Sequence, residues 1–413
     1  MSTFIENLSQ SERVVVTGIG VISSIGIGKN SFWNGLLAGD CGIKHMQDLE
    51  KYNMDITIGG KVNDFNPAVY IDSELIDSFG RTSQLGIAAS KLALKDSELQ
   101  PNDITDLNSA ILIGTTMGEC NVQESMVTSW NNCDSMDFDL QDIYRVPDNM
   151  LAINIAYALG LNVDCLVIPT ACAAGNYAIS HGFDLIRTGE VDLVIAGGCD
   201  AFSNIAFMGF GRMLALAKEK CQPFDKNRSG IAIGEGSGII ILESLAHAEK
   251  RKATIYSEMI GYGLSCDANH MTIPHKDGIK SVMKRALNNS NISTNDIDLI
   301  CAHGTGTQMN DKTESSVIID IFGKKGKTIP VNSIKSMLGH TMGAASALEA
   351  ISCILSIYSN KIAPTINYET PDEECPINCV PNKMIEKKVD IALNNSFAFG
   401  GNNASTIFSS FSH

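Results

Sequence analysis

Cys165-Leu166-Val167-Ile168-Pro169-Thr170-Ala171-Cys172-Ala173-Ala174-Gly175 is a short apolar run that stops at a proline and opens into small residues. Ala178, Ile179, Phe183 and Ile186 follow at near-helical spacing, with Arg187 in the last turn before Gly189. The stretch therefore predicts a buried strand at Cys165–Ile168, a tight turn, and a helix over Gly175–Thr188. A cysteine on such a turn has its sulfur near a helix N-terminus. The free N–H groups and the dipole there favour the thiolate, so the turn predicts a lowered pKa for Cys172. A buried structural cysteine would give the same local pattern, and that is the reading for most of the other cysteines.

Working outward, Val- and Ile-rich runs alternate with helical patterns, as in sheets covered on both faces. Strands are predicted at Arg13–Thr17, Ala110–Gly114, Leu193–Ala196 and Gly238–Leu242. A second set is predicted at Ile255–Tyr262, Leu299–Ala302, Ile329–Asn332, Ile391–Asn395 and Ser405–Phe408. A helix near Gly343–Tyr358 is apolar almost all round and should be buried. The strand sets read as two similar layered α/β halves dividing near residues 250–256, with a site at their seam. Residues 360–382 hold four of the 11 prolines and read as an irregular surface excursion.

Three further segments sit where chemistry is expected. Ala302-His303-Gly304-Thr305-Gly306-Thr307 ends a strand in a histidine and sets two hydroxyls at one mouth, suited to a polar amide arm. A histidine at a strand end is also a common structural residue. Asn332-Ser333-Ile334-Lys335-Ser336-Met337-Leu338-Gly339-His340 puts a lysine and a histidine before the buried helix. An unpaired charge there would be costly, and Asp311 and Glu314 offer it a partner. Alternatively the lysine is a solvated loop charge. Asn395-Ser396-Phe397-Ala398-Phe399-Gly400-Gly401-Asn402 opens a strand into a Gly-Gly turn: a plain hairpin, or a gate whose N–H donates to an oxyanion.

Composition narrows the classes. The chain has 413 residues, 44% hydrophobic and 19% charged, with net charge −15. At about 150 residues per domain this suggests two to three units. With that charge nucleic acid is not the expected partner, because phosphate binding needs clustered Lys and Arg, whereas a local basic patch could still dock an acidic protein. The 12 cysteines include no CxxC pair. Residues 1–11 lack a signal-peptide core, and no apolar run of about 18 residues is evident. A reduced cytoplasmic protein with free thiols, not spanning a membrane, is expected.

Together, in this order, the four segments resemble the β-ketoacyl-acyl-carrier-protein synthases of the thiolase superfamily, most like the synthase II type. The resemblance runs from Val14-Val15-Val16-Thr17-Gly18-Ile19-Gly20 to the Phe399-Gly400-Gly401 turn. It implies an α/β thiolase fold: two similar βαβαβαββ halves, residues 1–255 and 256–413, in five α-β-α-β-α layers. It implies an acyltransferase that takes substrates from the phosphopantetheine arm of an acyl carrier protein, with no tightly bound cofactor and no metal. It implies a homodimer, or a heterodimer with a related chain-length-factor subunit.

The resemblance also implies residue roles. Cys172 would accept the acyl chain, and His303 and His340 would act in decarboxylation of the malonyl extender. Lys335 would set the electrostatics, with Asp311, Glu314 and Glu349 as its network. Thr305 and Thr307 would bind the pantetheine arm. Cys172, Phe399 and Gly400 would form the oxyanion hole and gate, and Asp267 and His270 a second gating loop. Met117 would floor the acyl channel, or simply pack in the core.

Some positions depart from the family pattern. Ala398 stands where Gly is frequent, and Cys301 where Asn is frequent. Ala173–Tyr177 differ from fatty-acid enzymes, so fatty-acid elongation and type II polyketide or polyene synthesis both stay open. A degradative thiolase would need a second cysteine in the late Gly-rich turn. A non-elongating chain-length partner would usually lack Cys172.

Overall fold

The computed structural model describes residues 9–52, 55–132 and 140–412. Ten strands account for nearly all of the main sheet. They are β1 (Val14–Ser23), β2 (Ser109–Gly114), β3 (Asp164–Ile168), β4 (Leu193–Asp200) and β5 (Gly236–Ser244). Then come β6 (Ser257–Cys266), β7 (Leu299–Cys301), β8 (Val331–Asn332), β9 (Ile391–Phe397) and β10 (Asn402–Ser409). Every predicted strand is present, most of them one to several residues longer than the apolar run that announced them.

The spatial order is β8-β7-β9-β10-β6-β1-β5-β4-β2-β3. Renumbered within each half, the two sheets have one topology. In the first, β3, β2 and β4 run parallel, and β5 and β1 add antiparallel. In the second, β8, β7 and β9 run parallel, and β10 and β6 add antiparallel. The sheets join at one corner, where Val14–Val16 pair with Ser257–Met259. The internal repeat is thus a repeat of strand order and direction.

Helices make the other layers. α1 (Arg81–Asp96) and α2 (Met150–Leu159) cover the outer face of the first sheet, while α5 (Lys276–Asn289) and α6 (Gln308–Phe322) lie outside the second. Between the sheets lie α3 (Ala174–Arg187) and α7 (Ala345–Ser359), packed on each other; α4 (Asn204–Arg212) lies apart near the site. This is the α-β-α-β-α thiolase arrangement. A middle helix has a sheet on both sides, which is why residues 345–357 of α7 are buried without a break. Met342–Ser359 is long and apolar enough to cross a membrane, contrary to the sequence expectation. It is 89% buried inside the protein, as a central core helix should be.

The middle layer fits only because small residues let backbones approach. A Cβ on Gly114 of β2 would fall 2.2 Å from the Ala174 carbonyl carbon, so glycine there lets the start of α3 lie directly on the sheet.

Residues 360–382 are irregular, as expected, but they are not a surface excursion. Residues 362–366 are buried, as are Cys375, Ile377, Cys379 and Val380, which pack against the second half. The prolines make this segment irregular without making it external.

Candidate active site

Cys172 lies on a 3-10 turn, Ala171–Ala173, that leads straight into α3, and it is 4% exposed. Ala171 has φ +50°, a left-handed geometry that strains a non-glycine residue at the turn bearing the sulfur. Ser396 Oγ of β9 donates to the Cys172 carbonyl at 2.9 Å and ties the turn to the other half.

His303 follows β7. Its N–H and that of Gly304 donate to the Glu314 carboxylate on α6, each at 2.9 Å. Its ring stands edge-on to those of Phe397 and His340, with centroids 5.8 and 5.6 Å away. His340 is held by its N–H on the Ala232 carbonyl at 2.6 Å. The sulfur of Cys172 and a nitrogen of each imidazole all lie within 4.8 Å of one another.

The hydrogen-bond partners fix both tautomers. The Met342 N–H donates to His340 Nδ1 at 3.1 Å. The Lys335 ammonium, a donor only, lies 3.4 Å from His303 Nδ1. Both Nδ1 atoms therefore accept, and each ring carries its proton on Nε2. Burial, with the Lys335 charge, holds both imidazoles well below the usual histidine range, so they are neutral donors.

The charge network keeps one expected member and departs in the other two: Lys335 pairs with Glu349 of α7, not with Asp311 or Glu314. Glu314 instead supports the His303 backbone. Asp311 accepts from the N–H groups of Phe224 and Gly306 at 2.8 and 3.2 Å and lies 3.7 Å from Arg228. Burial pushes both Glu314 and Glu349 up to about 7, with nearby Lys335 pulling each the other way.

The thiol also departs from expectation. Burial pushes Cys172 up to about 11, against the pull of Lys335 and of the Phe399 and Cys172 N–H groups. The turn supplies the anticipated donors, but enclosure outweighs them, so the resting group is a thiol.

These two N–H groups, both of which favour charge on the sulfur, are the candidate oxyanion hole. Gly400 is not part of it in this conformation, because its N–H donates to the Met271 carbonyl at 2.8 Å. Gly400 has φ +83° and acts as the bend of the turn. Asp267 links the two loops: its N–H donates to the Gly401 carbonyl, and its carboxylate accepts from Asn403 Nδ2 at 2.6 Å and His275 N–H at 2.9 Å. His270 Nδ1 accepts from the Thr272 N–H at 3.1 Å and braces the same loop.

A cavity of about 340 Å³ opens from Cys172, His303 and His340 to the surface, with Thr305, Thr307 and Phe399 among its walls. The two threonine hydroxyls lie 2.9 Å apart. Met117 is not in its wall. It packs half-buried on a methionine- and phenylalanine-rich cluster that also receives Phe399, whose ring lies on Phe210 at 5.2 Å. Phe399 thus stands on the boundary between cavity and cluster.

Sequence reasoning missed Asp200. Its buried carboxylate accepts from Thr115 Oγ1 and from the N–H groups of Thr116, Met117 and Gly343, at 2.6–2.9 Å. It joins the Met117 loop to the turn after His340. An acid ending the apolar strand Leu193-Val194-Ile195-Ala196-Gly197-Gly198-Cys199 was the available signal.

Comparison with known proteins agrees with this geometry. Residues 11–248 match the family model described as beta-ketoacyl synthase, N-terminal domain, and residues 256–369 the corresponding C-terminal domain. The chain is 36% identical to 3-oxoacyl-[acyl-carrier-protein] synthase 2 of Synechocystis sp., covering 97% of this chain and 98% of the relative. It superposes on the ishigamide ketosynthase/chain length factor with a TM-score of 0.94 and 42% identity, over 97% of this chain and 100% of that one. A second neighbour, at a TM-score of 0.89 and 30% identity with the same coverage, is a type II PKS acyl-carrier protein in complex with its ketosynthase. Two family models spanning most of the chain, and a relative 36% identical over nearly its whole length, show that this chain belongs to the β-ketoacyl synthase family.

Proposed function

We propose that this enzyme performs the family's decarboxylative Claisen condensation with Cys172, His303 and His340 as its reacting groups. One observation carries the reading: the Nδ1 atoms of His340 and His303 are taken by the Met342 N–H and the Lys335 ammonium, which leaves each Nε2 to donate to a thioester oxygen. In the first half-reaction the Cys172 sulfur attacks an acyl thioester. The carrier's pantetheine sulfur leaves and takes the cysteine proton. In the second, the malonyl C–CO₂ bond breaks and its electron pair enters an enolate. His303 and His340 donate to the enolate oxygen. The enolate carbon attacks the acyl carbonyl, whose oxyanion accepts from the N–H groups of Cys172 and Phe399. The C–S bond then breaks and returns the Cys172 thiolate.

Each step needs only a thiol and hydrogen-bond donors, so the reading calls for no tightly bound cofactor or metal. Thr305 and Thr307 would hold the amide groups of the pantetheine arm. Phe399, with the loop of Asp267 and His270, would gate the acyl chain's entry into the cluster where Met117 would limit its length. The boundary at 255/256 would separate the half bearing the nucleophile from the half bearing the histidines. The compartment in this reading is the cytoplasm.

We also infer a dimer through the open edge strand β3. The exposed side chains of Leu166, on this strand, and Tyr157, on the α2 helix packed against it, lie along this edge. The solved ketosynthase/chain length factor favours a related subunit as partner over a second copy. Incubation with acyl- and malonyl-loaded carrier protein tests the activity. It should give a β-ketoacyl product two carbons longer and one CO₂ per condensation; CO₂ without product would refute it.

A further inference from the structure

Apolar side chains crowd the mouth of the active-site cavity. Met213, Leu214, Met271, Ile273 and Met309 all border it and are all exposed, Leu214 at 90% and Met271 at 74%. Three separate segments supply them: the end of α4, the loop after β6, and the first turn of α6. An exposed apolar patch of this kind marks a contact surface.

The backbone singles out Leu214. It sits just beyond α4 with φ +55°, its N–H on the Gly211 carbonyl at 3.0 Å, and the Ala215 N–H on the Phe210 carbonyl at 3.0 Å. This pair of bonds closes the helix in a Schellman motif, whose left-handed position favours glycine. A leucine there is strained and gains no packing, since its side chain points into solvent. Folding gives no reason to keep it, whereas strain of this kind gathers where function demands a particular side chain.

We propose that this lip, centred on Leu214, seats the carrier protein, so that docking is apolar rather than ionic. The inference rests on the condensing-enzyme reading above. The pantetheine arm enters by this mouth, so the domain carrying the arm must come to rest on its rim. The lip residues themselves carry no charge, and the chain as a whole is at −15. The carrier surface that fits is an apolar one surrounding the base of its arm. Arg212, exposed beside Met213, is the ionic alternative.

The test compares malonyl on a bacterial type II acyl carrier protein with malonyl-pantetheine, both extending an acyl chain already on Cys172. Leu214→Ser, and Leu214→Asn, which suits the left-handed backbone, should raise KM for the carrier substrate about tenfold. Both should leave KM for malonyl-pantetheine within twofold. The melting temperature of Leu214→Asn should not fall. Raising NaCl from 50 to 500 mM should change the carrier KM less than threefold, and Arg212→Ala less than twofold. Equal rises in both KM values would mean that the lip touches the arm and not the carrier, and would overturn the proposal. So would a dominant effect of Arg212→Ala or a steep salt dependence. Unchanged KM values in the Leu214 variants, with wild type active on both substrates, would overturn this inference alone. No condensation by wild type would overturn the underlying reading instead.

Discussion

Replacing Lys335 with methionine removes a buried positive charge while nearly keeping its volume. The ammonium lies 3.4 Å from His303 Nδ1. Adding the imidazole ring and one hydrogen bond puts the enolate oxygen roughly 8 Å from the charge, an attraction of about 2 kcal/mol at an effective dielectric of about 20. Decarboxylation should therefore slow by about 30-fold. Freed of the ammonium, His303 can also carry its proton on Nδ1, which deepens the loss. Glu349 already stands near 7, so it protonates rather than remaining a bare buried charge, and the variant should fold. The assay is release of labelled CO₂ from malonyl carrier, run beside melting curves. The double variant Lys335→Met/Glu349→Gln should melt no lower than the single variant and remain as slow. A double variant that regained the rate would show that the loss came from the orphaned carboxylate. A single variant at full speed would remove Lys335 from the electrostatics of the step.

Cys172→Gln should still release CO₂ without condensing, since the amide stands in for the acylated cysteine; adding His303→Ala or His340→Ala should cut that release by about 10² or more, the scale of losing an oxyanion donor. Persistent release in both would dismiss the histidines. Alkylation of Cys172 by iodoacetamide should climb about tenfold per pH unit from 7 to 9.5, because a folded thiol near 11 is far from half ionised throughout that window. A plateau near pH 7 would show that the helix start outweighs burial after all. Met117→Ala should admit acyl chains longer by roughly two carbons and Met117→Phe should shorten them, through the space left or overfilled beside Phe399. An unchanged chain-length profile in both would mean that the channel ends elsewhere.

Most strands were legible because they are buried on both faces and so read as unbroken apolar runs; the edge strand β3 reads the same way although Leu166 is exposed. Their common order was not, since pairing across half the chain leaves no local trace; β1 meets β6 through residues 14–16 and 257–259. The reacting groups were legible as strand ends followed by small residues, a pattern that brings backbone close to substrate. What the residues alone left hidden was set by contacts distant in sequence. The resemblance put Glu349 in the Lys335 network, but the two pair directly because α7 packs beside the 332–340 segment, while the nearer acids turn to backbone amides and Arg228. Asp200 gathers donors from residues 115–117 and 343, and none of these segments announces the others. The raised thiol is hidden for the same reason: the turn at Cys172 is local, but the enclosure that defeats it is built by both halves.

The most direct test of the account is where the acyl chain goes. After incubation with acyl-loaded carrier protein, intact mass and peptide mapping should find one acyl group per chain, on the peptide containing Cys172. Cys172→Ala should carry none. Acyl groups on a different cysteine among the 12 in the chain, or acylation undiminished in Cys172→Ala, would contradict it.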